Sequence, residues 1–209
     1  MDILVQHGHE GFTIARLAAD LDYAVGALYR YFKGKDAILA ALQHRIVTRL
    51  EADIEKVLEL IPNETEHDAL KRFFAAATVY ESLTWRRPTD HHVLALSLGD
   101  PRPLLKMEEV EGVLPALESL LVVLTDVIAD ATKASADDAR QLALVFWGST
   151  YGVMALRKLE RVRPAFAESS HAKRLHMALI IGWGGDAALA EKAFEESAAL
   201  IDMTFQKAK

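Results

Sequence analysis

The sequence predicts an all-α protein with a small N-terminal domain of three helices, residues 1–47, and a larger helical domain, residues 48–209. Three observations support this fold class. Apolar residues recur at spacings of three and four along nearly every segment, proline is confined to a few places, and no stretch alternates cleanly enough for an exposed strand.

The N-terminal domain contains a pair of short helices. The first is predicted to begin behind Thr13, a residue type that caps helix N-termini. Its apolar stripe comprises Ile14, Leu17, Ala18 and Leu21. A second short helix is predicted over residues 23–32, and Lys33-Gly34 separates it from a long third helix over residues 35–61. Helices this short are stable only when packed together, so the pair has the outline of a helix-turn-helix.

The larger domain is predicted to contain five more helices, at residues 64–87, 116–133, 137–160, 170–181 and 187–207. Ser135 and Asp186 are candidate N-caps of the third and the fifth of these. Residues 88–115 are expected to be irregular, because residues 99–103 combine glycine, aspartate and two prolines.

Composition narrows the classes of protein. The 209 residues are 51% hydrophobic and include no cysteine, which excludes disulfides, thiolate metal sites and a cysteine nucleophile. No apolar run reaches the roughly 20 residues of a membrane span, and the start lacks signal-peptide features, so we expect a cytoplasmic protein with no membrane partner. The net charge is −6, but residues 1–50 hold six basic and five acidic side chains, a net charge of +1. Contact with phosphate is therefore expected there, where five of the six basic residues lie at or after Arg30.

The second short helix has two different faces. Leu28 and Phe32, with Val25 three residues earlier, are predicted to face the core. The opposite face is predicted to present Gly26, Tyr29, Arg30 and Lys33. A small, exposed and partly basic face of this kind can enter a major groove, where tyrosine and arginine contact bases or phosphates. Lys35, at the start of the next helix, adds its charge to the helix dipole and favours phosphate.

The residues of this region resemble the N-terminal signature of the TetR family of bacterial repressors. The specific match is the run LYRYFKGKD at residues 28–36, supported by the segment TIARLA at 13–18 and by the pair Gly8-His9 upstream. The resemblance implies phosphate contacts by Thr13, Tyr31 and Lys35 and base contacts by Gly26 and Tyr29.

Three positions depart from the family pattern. Asp22 replaces the usual glycine of the turn, and aspartate tolerates the left-handed conformation that such a turn needs. Ala24 and Ala27 replace a serine and a threonine whose hydroxyl groups usually contact phosphate. Each lost hydrogen bond is worth roughly 0.5 to 1.5 kcal/mol, so weaker operator binding is expected.

Two glycines of the larger domain suggest a close helix contact. Gly148 and Gly152 are four residues apart, so they share one face of a predicted helix. Such a face is expected at a homodimer interface or at a helix crossing within the chain, and the spacing leaves both possibilities open.

Large side chains in the middle of the larger domain combine apolar surface with a few polar groups, as ligand cavities do. For each of them alone, packing in the core is the ordinary explanation. Those predicted to bind a small apolar ligand are Phe74, Tyr80, Trp85, Trp147, Tyr151 and Met154.

Several patterns imitate other sites. Residues 179–187 resemble a dinucleotide-binding G-x-G-x-x-A segment, but too few residues follow for a βαβ unit, so a helix break is expected. A nucleophile elbow at Ser149 fails because Trp147 stands where a glycine is required.

His91 and His92 point about 100° apart on a helix and are expected to be solvated. The arginines at 86–87 are expected at a solvated helix end, with an acidic ligand as the other possibility. We therefore predict no enzyme, no metal and no cofactor.

These observations lead to one functional hypothesis and one alternative. The hypothesis is a homodimeric transcriptional repressor that binds a palindromic double-stranded DNA operator and is released by a small apolar effector. The alternative is a helical dimer that has lost strong DNA binding and acts as a ligand-binding or protein-binding module.

Overall fold

The computed structural model describes residues 2–99, 105–167 and 170–205, and these residues contain no strand. The predicted all-α class is confirmed. The helices of the described residues are α1 (Asp2–Gly11), α2 (Ile14–Asp20), α3 (Val25–Tyr29), α4 (Lys35–Leu58), α5 (Glu66–Arg86), α6 (Pro88–Gly99), α7 (Met107–Thr132), α8 (Ala136–Leu156), α9 (Ser170–Gly182) and α10 (Ala187–Thr204). Two short 3₁₀ turns lie between α8 and α9, at Arg157–Leu159 and Pro164–Ala167.

The chain forms two compact units. Unit 1 comprises Met1–Arg49 with Arg87–Glu118, and unit 2 comprises Leu50–Arg86 with Ser119–Lys209. The boundary after Arg49 lies close to the predicted domain division between residues 47 and 48. That these units fold as independent domains stays a prediction. Residues 87–118, expected in the larger domain, belong instead to unit 1.

The core of unit 1 explains this membership. Its buried side chains are Ile3, Leu4, Phe12, Ile14, Ile38, Leu39, Ile46 and Val93. Val93 lies on α6, which packs against α1, and Leu94, Leu96 and Leu105 pack on the same cluster. Burial of apolar surface is the dominant favourable term in folding, so these side chains tie α6 to the N-terminal helices.

Unit 2 is centred on α5. The last helix, α10, packs along α5, and the rings of Phe74 and Phe194 meet edge to face with centroids 5.5 Å apart. On the other side of α5, Phe73 makes edge-to-face contacts with Phe146 of α8 and His176 of α9. Aromatic pairs prefer this geometry, and interlocking rings thus join α5 to α8, α9 and α10.

Helix α7 differs from the prediction. It begins at Met107 rather than at residue 116, and Pro115 lies inside it. Proline removes one helical hydrogen bond and disfavours the preceding turn. Buried residues nevertheless continue at helical spacing on both sides of it: Val113, Ala116, Leu120, Leu124 and Val127. Burial of this stripe overrides the local preference of proline.

The turn between α9 and α10 explains the segment that imitates a dinucleotide site. Its apolar run is the end of helix α9 rather than a strand, which rules out a βαβ unit. Gly184 has a φ of 98°, which glycine adopts without strain, and a Cβ on Gly185 would lie 3.0 Å from the Ile180 carbonyl oxygen. The glycines thus end one helix before Asp186 caps the next, its side chain accepting from the Leu189 amide.

Two expectations about solvated side chains are wrong. Arg86 Nη2 lies 3.0 Å from Asp53 Oδ2, and its guanidinium lies 3.5 Å from the centroid of the Phe205 ring. Arg87 Nη1 lies 3.8 Å from Oδ2 of Asp90, which is 3% exposed. His91 and His92 are likewise half-buried on α6. Contacts within unit 2 take Arg86 out of solvent, and the packing of α6 within unit 1 does the same for Arg87, His91 and His92.

Among the described residues, one helix is long enough and apolar enough, by length and composition alone, to cross a membrane. This helix is α7, and 33% of its most apolar 18-residue stretch is buried.

Candidate nucleic-acid interface

The turn between α2 and α3 forms as the sequence predicts. Thr13 caps α2, its Oγ1 accepting from the Arg16 amide at 3.2 Å. After α2, Asp22 adopts a φ of 55°, the left-handed conformation that aspartate tolerates. The Tyr23 amide then donates to the Ala18 carbonyl at 2.8 Å, which closes the turn. Ala24 provides no side-chain hydrogen bond at the start of α3.

Helix α3 has one face on the core and one in solvent. Leu28, with Phe32 just beyond the helix, packs against the core of unit 1. Gly26, Tyr29 and Arg30 are exposed, and the Tyr29 side chain is 57% exposed. No described atom lies within 4 Å of where a Cβ of Gly26 would be, so another molecule can approach the backbone there. The structure thus brings the three predicted outward residues onto one open face.

One residue of the predicted core face is misplaced. Val25, expected to pack beside Leu28, is 41% exposed. It is the first residue of α3, and only the later residues Leu28 and Phe32 reach the core. The short length of α3 accounts for the difference, because periodicity assumes a helix that contacts its neighbours from end to end.

The residues proposed to contact phosphate lie around α3 within the same unit. Thr13 and Tyr31 are exposed. Lys35, at the first position of α4, is half-buried, and its Nζ lies 3.4 Å from the His9 carbonyl oxygen. Arg16, which was not among the predicted contacts, donates from Nη1 to the Gly11 carbonyl at 3.0 Å and thereby ties α2 to the end of α1.

Lys33 has a partner that the sequence did not indicate. Its Nζ donates to Oε1 of Glu108, on the first turn of α7, at 2.6 Å. The hydrogen bond raises the pKa of Lys33 and lowers the pKa of Glu108. The two residues are 75 positions apart, so no local pattern predicts their contact.

A groove lies beside this ion pair within unit 1. It has a volume of about 520 Å³, and small residues line part of it: Ala37, Ala40 and Ala41 of α4 and Gly112 of α7. Lys33 and Glu108 line the same groove. His44 Nδ1 lies 3.1 Å from the Gly112 carbonyl oxygen, and because a carbonyl only accepts, this nitrogen carries the proton.

The predicted ligand-binding residues all lie in unit 2, and part of them come together. Trp147 Nε1 donates to the Tyr80 hydroxyl at 3.0 Å. Burial raises the pKa of Tyr80 well above its usual range, and the nearby Tyr151 adds to the rise. Trp147 and Tyr151 are half-buried, so this polar aromatic group reaches the surface.

The other predicted ligand-binding residues are packed or separate. Phe74 is fully buried against Phe73 and Phe194. Met154 is buried beside a cavity of about 10 Å³, which holds at most one water molecule. Trp85 lies near the end of α5 and is 38% exposed.

Gly148 and Gly152 lie on the outer face of α8. Both are exposed, and no described atom lies within 4 Å of where their Cβ atoms would be. A helix crossing within the protomer is therefore not what these glycines serve. Exposed apolar side chains share this face of α8: Leu144, Val145 and Leu156.

Comparison with known proteins supports the N-terminal assignment. Residues 1–42 match the model of bacterial regulatory proteins of the tetR family. No curated protein sequence matches the chain.

Solved structures share the fold over most of the chain. The transcriptional regulator FadR from Bacillus subtilis, in complex with stearoyl-CoA, aligns with a TM-score of 0.65 at 15% identity and covers 86% of this chain and 92% of its own. FadR from Bacillus halodurans aligns with a TM-score of 0.63 at 17% identity, and the alignment covers 88% of this chain and 92% of FadR. A tetR-family regulatory protein from Rhodococcus RHA1 aligns with a TM-score of 0.64 at 20% identity, and the alignment covers 88% of this chain and 93% of the Rhodococcus protein. Residues 1–42, which contain the helix-turn-helix of α2 and α3, therefore resemble the N-terminal segment of bacterial regulatory proteins of the tetR family, and the chain shares its fold with these solved regulators.

Proposed function

We propose that the protein is a cytoplasmic homodimeric repressor that binds a palindromic operator through α3 and is released by a small apolar effector. The observation that carries the proposal is the open face of α3. Gly26, Tyr29 and Arg30 are exposed there while Leu28 anchors the helix to the core. A short helix anchored on one side and polar on the other is suited to enter a major groove.

Each residue of this face has a distinct role in the proposal. Gly26 lets the helix backbone approach the DNA, and Tyr29 and Arg30 contact base edges. Thr13, Tyr31, Lys33 and Lys35 hold the flanking phosphates. Phosphate contacts fix the register of a protein on DNA, and base contacts give its sequence preference.

A dimer is required because α3 is five residues long and reaches few base pairs. Two copies related by a two-fold axis contact half-sites about 34 to 36 Å apart, or a multiple of this distance. We place the interface on the outer face of α8, where Gly148 and Gly152 allow close approach and Leu144, Val145 and Leu156 provide exposed apolar surface. Burial of these side chains favours association.

The effector is proposed to contact the polar aromatic group of unit 2. Tyr80, Trp147 and Tyr151 present two hydroxyl groups and an indole N–H beside apolar rings, a chemistry that suits an apolar ligand with a polar end. FadR from Bacillus subtilis has been crystallised with stearoyl-CoA, a ligand of this class, on the same fold. An effector releases DNA if it binds better to a conformation in which the two α3 helices are wrongly spaced.

The decisive experiment measures DNA binding by the Tyr29→Ala variant. We expect binding to a duplex that the wild-type protein selects from a random pool to weaken about fivefold or more, since one good base contact is worth about 1 to 3 kcal/mol. Fluorescence anisotropy at fixed salt measures the affinity. The exposed ring makes few contacts within the protomer, so the circular dichroism spectrum should not change.

Tyr23→Ala is the matched control. Tyr23 is also an exposed tyrosine of unit 1, but it lies in the turn before α3. Its removal should change the affinity far less. Equal affinities of wild type and Tyr29→Ala would contradict the proposed interface. A wild-type protein that selects no duplex would favour the alternative of a helical dimer without DNA binding.

A further inference from the structure

Lys33 is engaged before any DNA is present. It lies in the loop between α3 and α4, and its Nζ donates to Oε1 of Glu108 at 2.6 Å. The side chains are 83% and 67% exposed, so both are accessible from solvent. Lys33 is one of the residues proposed to contact phosphate, and a carboxylate from a helix outside the helix-turn-helix already holds it.

A carboxylate and a phosphate make the same kind of contact with an ammonium group. Both are anionic and offer charge-assisted hydrogen bonds to Nζ. A phosphate that approaches Lys33 also approaches Glu108, and two anions at one ammonium repel each other. DNA therefore gains the contact with Lys33 only when the carboxylate moves away.

We propose that Glu108 takes the place of a DNA phosphate on Lys33, so that operator DNA must displace this carboxylate and Glu108 limits the affinity of the proposed repressor. The inference rests on the proposed DNA-binding function. It assigns to the first turn of α7 a role as an intramolecular competitor of DNA.

The surroundings of the pair permit the exchange. Lys33 and Glu108 line the open groove beside Ala37, Ala40 and Gly112, and these small residues leave room for both side chains to change rotamer. Exposed ion pairs are weak, because water and salt screen them, so the competition reduces affinity without abolishing it. By reciprocity, whatever moves the first turn of α7 away from Lys33 strengthens DNA binding, and bound DNA frees that turn.

The competition predicts a specific salt signature. When wild-type protein binds DNA, Lys33 exchanges one anion for another and the freed Glu108 takes up a cation, so this lysine contributes little net counterion release. In Glu108→Gln, Lys33 neutralises a phosphate without that exchange. We expect the slope of log affinity against log salt to steepen by about 0.9 per protomer, and the affinity at low salt to rise about threefold to tenfold.

A double-mutant cycle separates competition from simple charge repulsion. If Glu108 acts through Lys33, Glu108→Gln has no effect in the Lys33→Ala background. If it merely repels DNA, the gain persists there. Glu111→Gln is the matched control, because it removes the same charge from an exposed residue one turn further along α7, and it should change neither the affinity nor the slope appreciably.

The outcomes are distinguishable by anisotropy titration of the selected duplex at several salt concentrations. The competition is overturned if Glu108→Gln leaves the salt slope unchanged, or if Glu108→Gln and Glu111→Gln raise the DNA affinity equally. The proposed function still stands in that case, provided that DNA binding depends on Tyr29. Failure of both wild type and Glu108→Gln to bind any duplex at any salt concentration overturns both. A steeper slope that vanishes with Lys33→Ala supports the competition.

Discussion

His176 of α9 is a buried titratable residue whose charge state matters for stability. It is 1% exposed, lies among the rings of Phe73 and Phe146, and its Nε2 lies 3.1 Å from Thr150 Oγ1. Burial lowers the pKa of His176 from 6.5 to about 4. The folded protein therefore holds this imidazole neutral, because an imidazolium among aromatic rings would be poorly solvated.

This histidine makes unit 2 less stable in mild acid. Below pH 6.5 the unfolded chain binds a proton that the folded chain refuses until about pH 4, so the free energy of unfolding falls as the pH drops through this window. The full loss is about 3 kcal/mol at 1.36 kcal/mol per pH unit. Urea unfolding followed by tryptophan fluorescence between pH 7 and 4.5 measures the larger part of this loss, which is complete only below about pH 4. The fluorescence reports unit 2, which holds Trp85, Trp147 and Trp183.

His176→Gln should remove most of this pH dependence, even if it lowers stability at every pH. His171→Gln, on the same helix, is the control and should keep the wild-type dependence, because its Nε2 bonds to the Ala165 carbonyl at the surface. Parallel curves for wild type and His176→Gln would show that the buried imidazole does not titrate as described.

At the scale of elements, the outer face of α8 is available for a partner helix. Ser135 caps this helix through the Asp138 amide, and its inner face is held by Phe146, Thr150 and Met154. The glycines of the outer face leave open space around them. Glycine is among the least favourable residues in a helix interior, by about 1 kcal/mol relative to alanine, so it needs a reason other than helix stability here.

Replacing Gly148 or Gly152 by leucine should turn the proposed dimer into a monomer at low micromolar concentration. A leucine side chain holds the facing helices apart. Within the protomer no described atom lies within 4 Å of where its Cβ would be, and leucine improves helix propensity. Sedimentation velocity measures the change. Ala136→Leu, at the exposed first residue of α8, is the control and should stay a dimer. Dimers in both glycine variants would move the interface to another helix.

At the scale of the whole molecule, effector and DNA are expected to oppose each other. If an effector prefers a conformation that binds DNA weakly, DNA weakens effector binding by the same factor. A regulator built this way needs separate sites for the two ligands, and the residues proposed for each lie in different units.

Stearoyl-CoA is the first effector to test, with coenzyme A alone as its control. We expect stearoyl-CoA to quench tryptophan emission, to raise the melting temperature and to release the selected duplex, with no such effects from coenzyme A. Trp147→Phe keeps most of the packing but loses the N–H that donates to Tyr80. The free energy of stearoyl-CoA binding should therefore fall more than the free energy of unfolding. If the variant loses stability and neither stearoyl-CoA nor a panel of other apolar compounds shifts melting, the rings only fill a core.

The sequence by itself determined the features that depend on nearby residues. The caps at Thr13, Ser135 and Asp186, the left-handed Asp22 and the glycine break before α10 form as predicted. These features follow from hydrogen bonds and backbone preferences within a few positions, which a single sequence displays directly. The signature over residues 28–36 is equally local, and it indicated the resemblance to the tetR family that the match over residues 1–42 supports.

The tertiary structure decided everything that depends on distant residues. It extended α7 through Pro115, exposed Val25 and joined residues 87–118 to the N-terminal unit. It also paired Lys33 with Glu108 and Trp147 with Tyr80, across 75 and 67 positions. Such outcomes come from burial shared between segments and from charges that meet only after folding. Local periodicity and residue preference carry no information about them.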